Sequence, residues 1–155
     1  MKRYTTYLFY QNLGRLFYAF VAVDKYIKPT EVEAVELLVK KYWLSNKVLI
    51  NISKNDAEEA VFSVFRSLCN YNEVPSKSFV ENCYNRFVQF KNENILLFTK
   101  DIKTLILKTV TKITAACAGQ NKSETILLAK LSLEFNKKVK SNIFLKASKA
   151  KRDRK

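Results

Sequence analysis

A similar turn recurs three times along the chain: Val23-Asp24-Lys25-Tyr26-Ile27-Lys28-Pro29-Thr30, Cys69-Asn70-Tyr71-Asn72-Glu73-Val74-Pro75-Ser76 and Cys117-Ala118-Gly119-Gln120-Asn121-Lys122-Ser123. Asp24 and Asn70 are 46 residues apart, as are Pro29 and Pro75, so the first two turns correspond without a gap. The third falls into line about one residue short. Each turn separates two runs in which apolar residues recur at three and four, the spacing of one helix face. This pattern predicts an all-α fold of about six main helices arranged as three antiparallel αα-hairpins.

Punctuation elsewhere is sparse. Gly14 and Gly119 are the only glycines, and Pro29 and Pro75 the only prolines, too few for a chain of many short strands. With 155 residues and 48% hydrophobic content, the chain has enough apolar material for one domain with a real core. We expect a single helical domain over 1–140, followed by a basic C-terminal tail over 141–155. No apolar run approaches the roughly 18–20 residues needed to cross a bilayer, so no transmembrane segment is expected. Met1-Lys2-Arg3 has the charge of a secretion signal, but the chain then reaches Gln11, Asn12 and Arg15 without a clean apolar stretch. The expected location is cytoplasmic.

The helices follow from their stripes and their start signals. Leu8, Phe9, Leu13, Leu16, Phe17, Phe20 and Val21 form one broad apolar stripe, with Gly14 inside it to permit close helix contact. Pro29 suits the first turn of the second helix, and Glu31 and Glu33 put negative charge where the helix dipole favours it. Residues 45–52 form a break. Ser53 then opens a third helix with inner positions Val61, Phe62, Phe65, Leu68 and Cys69. After Pro75, a fourth helix buries Phe79, Cys83, Phe87, Val88 and Phe90. Phe98 or Thr99 opens the fifth, and Gly119 ends it as a left-handed cap. Asn121 followed by Glu124 has the form of a capping box for the sixth, whose core positions are Ile126, Leu127, Leu131 and Phe135.

Little in the chain points to catalysis. There is no histidine, so acid–base chemistry near neutrality would need a shifted carboxylate, lysine or cysteine, and no such pair stands in evident partnership. Two glycines cannot build a phosphate-binding loop. Cys69, Cys83 and Cys117 are widely spaced on apolar faces, which suits reduced core thiols. The expectation is a protein that is not an enzyme and has no cofactor.

The segment from Phe20 to Glu31, with Asp24, Ile27, Pro29 and Glu31 at its key positions, resembles the signature of TerB-like domains. These form a helical family associated with tellurite resistance and stress-response systems. Lys25 stands where that signature usually has glycine. The segment from Ile113 to Glu124 resembles the family's second copy, with Gly119 and Glu124 in register and Ala118 in place of the aspartate. The resemblance covers roughly residues 8–140. It implies a TerB-like helical bundle in which acidic residues of the two copies converge near the turns. The implied metal candidates are Asp24, Glu31 and Glu124, with divalent metal binding at most weak because Ala118 supplies no ligand. On the residues alone, Asp24 reads as a helix end that bonds its own turn, and Glu31 as a first-turn acid stabilised by the dipole. The function the resemblance suggests is a noncatalytic, stress-associated interaction or adaptor module whose partner is another protein.

Charge supplies a second reading. The chain carries a net +14. Residues 137–155 hold Lys137, Lys138, Lys140, Lys146, Lys149, Lys151, Arg152, Arg154 and Lys155 against Asp153, a net of +8 that leaves +6 for the rest. Such a segment attracts nucleic-acid phosphates without sequence discrimination, or an anionic membrane surface. Lys100, Lys103, Lys108 and Lys112 share one side of the fifth helix loosely, as an ordinary solvated face does.

Overall fold

The computed structural model describes residues 3–23, 25–45, 48, 51–117 and 121–137. Among these the regular structure is entirely helical: α1 (Arg3–Ala22), α2 (Pro29–Val39), α3 (Lys54–Leu68), α4 (Lys77–Glu93), α5 (Lys100–Ala116) and α6 (Lys122–Asn136). The last turn of α2 widens into a π-helical turn over Lys40–Leu44, closed by the Ser45 N–H donating to the Lys40 carbonyl at 2.9 Å. A short 3₁₀ turn, Ile95–Leu97, joins α4 to α5. None of the described helices is long and apolar enough to cross a membrane.

Start signals in the sequence are used as hydrogen bonds. Ser53 caps α3 by accepting from Asp56 N–H at 3.0 Å, and Thr99 caps α5 by accepting from Ile102 N–H at 3.2 Å. Ser76 does the same for α4 through Phe79 N–H, also at 3.2 Å. Each bond satisfies one backbone donor that a helix start leaves orphaned. Pro29 occupies the first turn of α2, where a missing N–H removes nothing.

The centre of the molecule is α1. Leu16 through Ala22 are all buried, so the second half of α1 is covered on every side rather than along the one stripe its periodicity predicts. An apolar helix of this kind belongs inside a larger assembly of helices. Its main neighbours are α3 and α4, with a smaller contact to α5, while α2 and α6 both lie on α5. The expected pairing of consecutive helices is therefore found at α5 and α6. It is not the main packing for α1 with α2 or for α3 with α4, because α3 and α4 already cover α1.

Gly14 allows a close approach of α1 to α3. A Cβ on Gly14 would lie 2.6 Å from the Val61 carbonyl oxygen and 3.3 Å from the Phe65 nitrogen, so the two backbones touch where a side chain would stand. Elsewhere in the core most of the aromatic rings meet edge to face. Phe9 lies 5.4 Å from Tyr10 and 5.5 Å from Phe98, and Phe87 links Phe98 at 5.7 Å to Phe135 at 6.2 Å. Buried residues from all six helices join this one core. Two expected core residues lie outside it: Phe79 is 43% exposed and only leans its ring on Tyr18, and Ile126 is 57% exposed.

Candidate functional site

The most unusual group of polar side chains lies where the first and third turns meet. Lys28 precedes α2 and Asn121 precedes α6 as N-caps, so Glu31 and Glu124 occupy the same third position of their helices. A carboxylate there is favoured by the helix dipole and commonly reaches back to its own cap. Glu31 does so: one oxygen accepts the Lys28 backbone N–H at 2.9 Å. Its other oxygen accepts from the Lys25 ammonium at 2.5 Å.

Glu124 behaves differently. Its backbone N–H donates to the Asn121 side chain at 2.7 Å, which is the first half of the expected capping box. The return bond is absent among the described residues, because the carboxylate turns inward. Its side chain is only 1% exposed, and Oε1 lies 3.8 Å from the Lys25 ammonium. That separation allows attraction but is too long for a hydrogen bond. Among the described residues neither carboxylate oxygen of Glu124 has a hydrogen-bond partner. Burial raises its pKa above the ordinary carboxylate value, a rise that the nearby Lys25 and the Asn121 contact only partly oppose.

Lys25 completes the cluster. Besides Glu31, its ammonium donates to the Cys117 carbonyl at 2.9 Å. That carbonyl ends α5, where the helix dipole is negative and favours a cation. Three helix ends thus converge on one ammonium: the starts of α2 and α6 through their acids, and the end of α5 through its backbone.

Of the metal candidates, Glu31 and Glu124 are brought together, whereas Asp24 lies outside the described residues. Among the described residues no group of three or more His, Cys, Asp or Glu is arranged to hold a metal ion. The cluster as it stands does not fit a divalent cation. An ammonium already contacts two of the three available oxygens, and its positive charge would repel the ion. Lys25 was visible in the sequence only as a departure from glycine, and the Cys117 carbonyl gave no signal, since a backbone acceptor is independent of residue type.

The thiols are poor nucleophiles. All three are free; Cys83 and Cys117 are buried and Cys69 is half-buried. Burial pushes Cys69 up to about 12 and Cys117 up to about 11, and it raises Cys83 as well. The thiolate is therefore disfavoured at each position.

A groove of about 160 Å³ opens near the cluster, between α4 and α6, with Val23 at one end. Val80 and Tyr84 from α4 and Ile126 and Leu127 from α6 form its apolar walls, and Lys77, Glu81 and Lys130 lie along it. The Lys130 ammonium sits 4.9 Å from the centre of the Tyr84 ring.

The basic residues divide by location. Lys137, at the end of α6, donates to the Glu134 carboxylate at 3.1 Å with its side chain largely exposed. Lys138, Lys140, Lys146, Lys149, Lys151, Arg152, Arg154 and Lys155 lie outside the described residues. On α5, Lys103 donates to the Phe135 carbonyl at 3.3 Å, and Lys108 covers the Tyr42 ring at 4.8 Å. No protein-family model, curated protein or solved structure matches the chain.

Proposed function

We propose that this chain is a noncatalytic helical interaction module of the TerB-like kind, acting as a stress-associated adaptor for another protein. The observation that carries the reading is the meeting of its two resembling segments. Lys25 of the first, which is also bound to Glu31, contacts Cys117 and Glu124 of the second, across 92 residues between Lys25 and Cys117. The two glutamates hold the same position on their helices, as two copies of one motif would.

The side-chain chemistry favours binding over turnover. The thiols are held protonated by burial, and the chain has no histidine. Exposed Ile126 and Leu133 lie seven residues apart on one side of α6, flanking Lys130, the pattern of a helix face offered to a partner. Affinity capture with the wild-type chain and with Ile126→Glu tests this. A protein held by the wild type and lost from the variant is expected. Capture unchanged by the variant, or capture of nucleic acid alone, would count against the adaptor reading.

The charge of +14 favours a second reading, a basic module that binds nucleic acid or an anionic membrane surface through residues 137–155. Here the discriminating comparison is the full chain against a chain ending at Asn136, titrated with DNA, RNA and anionic vesicles. Under this reading truncation removes most of the affinity while the helices stay folded. Equal binding by both chains would shift the contact to the helical body.

A further inference from the structure

The three oxygens around Lys25 are the donors expected around a metal ion. We propose that Lys25 is a tethered cation filling an oxygen-lined site made by the Glu31 carboxylate, the Glu124 carboxylate and the Cys117 carbonyl, and that removing its ammonium opens this site to a divalent metal ion. The inference rests on the cluster itself, and it holds or fails independently of whether the chain is an adaptor.

Two observations separate this arrangement from an ordinary ion pair. Glu124 leaves its own helix cap and buries its carboxylate facing the ammonium, yet it stops at 3.8 Å and gains no hydrogen bond there. Burying a carboxyl group without a hydrogen bond is unfavourable, so among the described residues both of its oxygens stand beside the ammonium with their hydrogen-bonding capacity unused. The second observation is charge. With both acids ionised, two carboxylates face one ammonium, which leaves the cluster with one negative charge in excess, whereas a divalent ion in place of the lysine would balance both.

Geometry agrees. The ammonium lies 2.5 Å from Glu31 and 2.9 Å from the Cys117 oxygen. Calcium binds oxygen at about 2.3–2.6 Å, so those two donors are nearly in place, and Glu124 would have to close by about 1.3 Å. Carboxylate and carbonyl donors select hard cations such as calcium, magnesium and manganese. Water completes the shell, as is usual where only one or two carboxylates bind magnesium. Lys25 supplies one positive charge at no fixed coordination number, which explains how the fold keeps two acids buried together without a metal.

The test compares the full wild-type chain with Lys25→Ala and with Lys25→Ala/Glu124→Gln. Manganese binding is read by electron paramagnetic resonance, and calcium binding by titration calorimetry. We expect Lys25→Ala to bind one ion at least tenfold more tightly than the wild type, and the double variant to lose that gain. Equal affinity in wild type and Lys25→Ala, or undiminished binding in the double variant, would overturn the proposal. If Lys25→Ala is too unstable to titrate, its melting temperature is followed with and without manganese. A rise specific to the single variant is expected, and no rise would refute the tethered cation equally well.

Discussion

Gly14 and Thr109 show how much a single side chain decides in this core. Alanine is the better helix former by about 1 kcal/mol, so on α1 alone Gly14→Ala would stabilise the helix. The Val61 carbonyl at 2.6 Å from the would-be Cβ reverses that sign. Backbone on a neighbouring helix cannot yield as a flexible side chain can, and overpacking of this kind costs about 1–3 kcal/mol. We expect Gly14→Ala to lower stability in chemical denaturation, with the helical signal at room temperature retained. Thr109 carries a different load. Its hydroxyl accepts the Trp43 indole N–H at 2.9 Å in a fully enclosed setting and donates to the Leu105 carbonyl at 2.7 Å. Thr109→Val keeps the shape but strands the indole donor, a loss of about 1–3 kcal/mol. Denaturation midpoints should fall accordingly, and Trp43 fluorescence should report the change directly.

Between elements, the decisive polar contact is the tie from α4 to α6. Lys91 donates to Glu134 at 2.9 Å, and both side chains are about nine-tenths buried. Burial alone would raise the Glu134 pKa, but the hydrogen bonds from Lys91 and Lys137 outweigh it and bring the value below the ordinary one. A carboxylate lowered in the folded state adds stability above its unfolded pKa, and that contribution fades as pH falls through the lower folded value. Lys91→Met removes the main partner while leaving Lys137, so we expect a loss near the low end of the range for a broken buried pair, about 3 kcal/mol at neutral pH. Lowering the pH to about 4 protonates the stranded carboxyl, since an unperturbed Glu titrates near 4.3, and should narrow the gap to wild type. Urea unfolding at the two pH values checks both effects.

The helices themselves were legible because their evidence is local. Pro29, Ser53, Thr99 and Asn121 announce starts, and the apolar spacing gives each helix an inner face. Which faces meet is a nonlocal matter. The turn repeat correctly separates α1 from α2, yet it does not reveal that α3 and α4 cover α1. Phe79 and Ile126 follow helical spacing as well as their buried neighbours do, and only the packing decides that they stay partly outside. The cluster was half legible for the same reason. Glu31 and Glu124 stand out as first-turn acids, but the inward turn of Glu124 depends on Lys25 arriving from another part of the chain.

At the scale of the whole molecule, charge and core are separated along the chain. The buried cluster and the aromatic core lie within residues 9–135, whereas a net +8 falls on residues 137–155. If all nine basic groups of that segment met phosphates of duplex DNA, the logarithm of the binding constant would fall with the logarithm of salt at a slope of about −8, which is the upper bound. A measured slope near zero would leave the segment without an electrostatic role in DNA binding.

The enclosed position of α1 also has a meaning in time. A ribosome makes the most thoroughly covered helix before the two helices that cover it, and at about 5–20 residues per second the interval from Ala22 to Glu93 lasts several seconds. Through that interval Phe17, Phe20 and Val21 have no native shelter from the later helices and are exposed to any chaperone that recognises apolar stretches. Once α3 and α4 close over them, the amides of Leu16 to Ala22 are enclosed in the core. Their hydrogen exchange should require opening of the entire core, so the segment synthesised early and sheltered late becomes the clock by which global unfolding can be read.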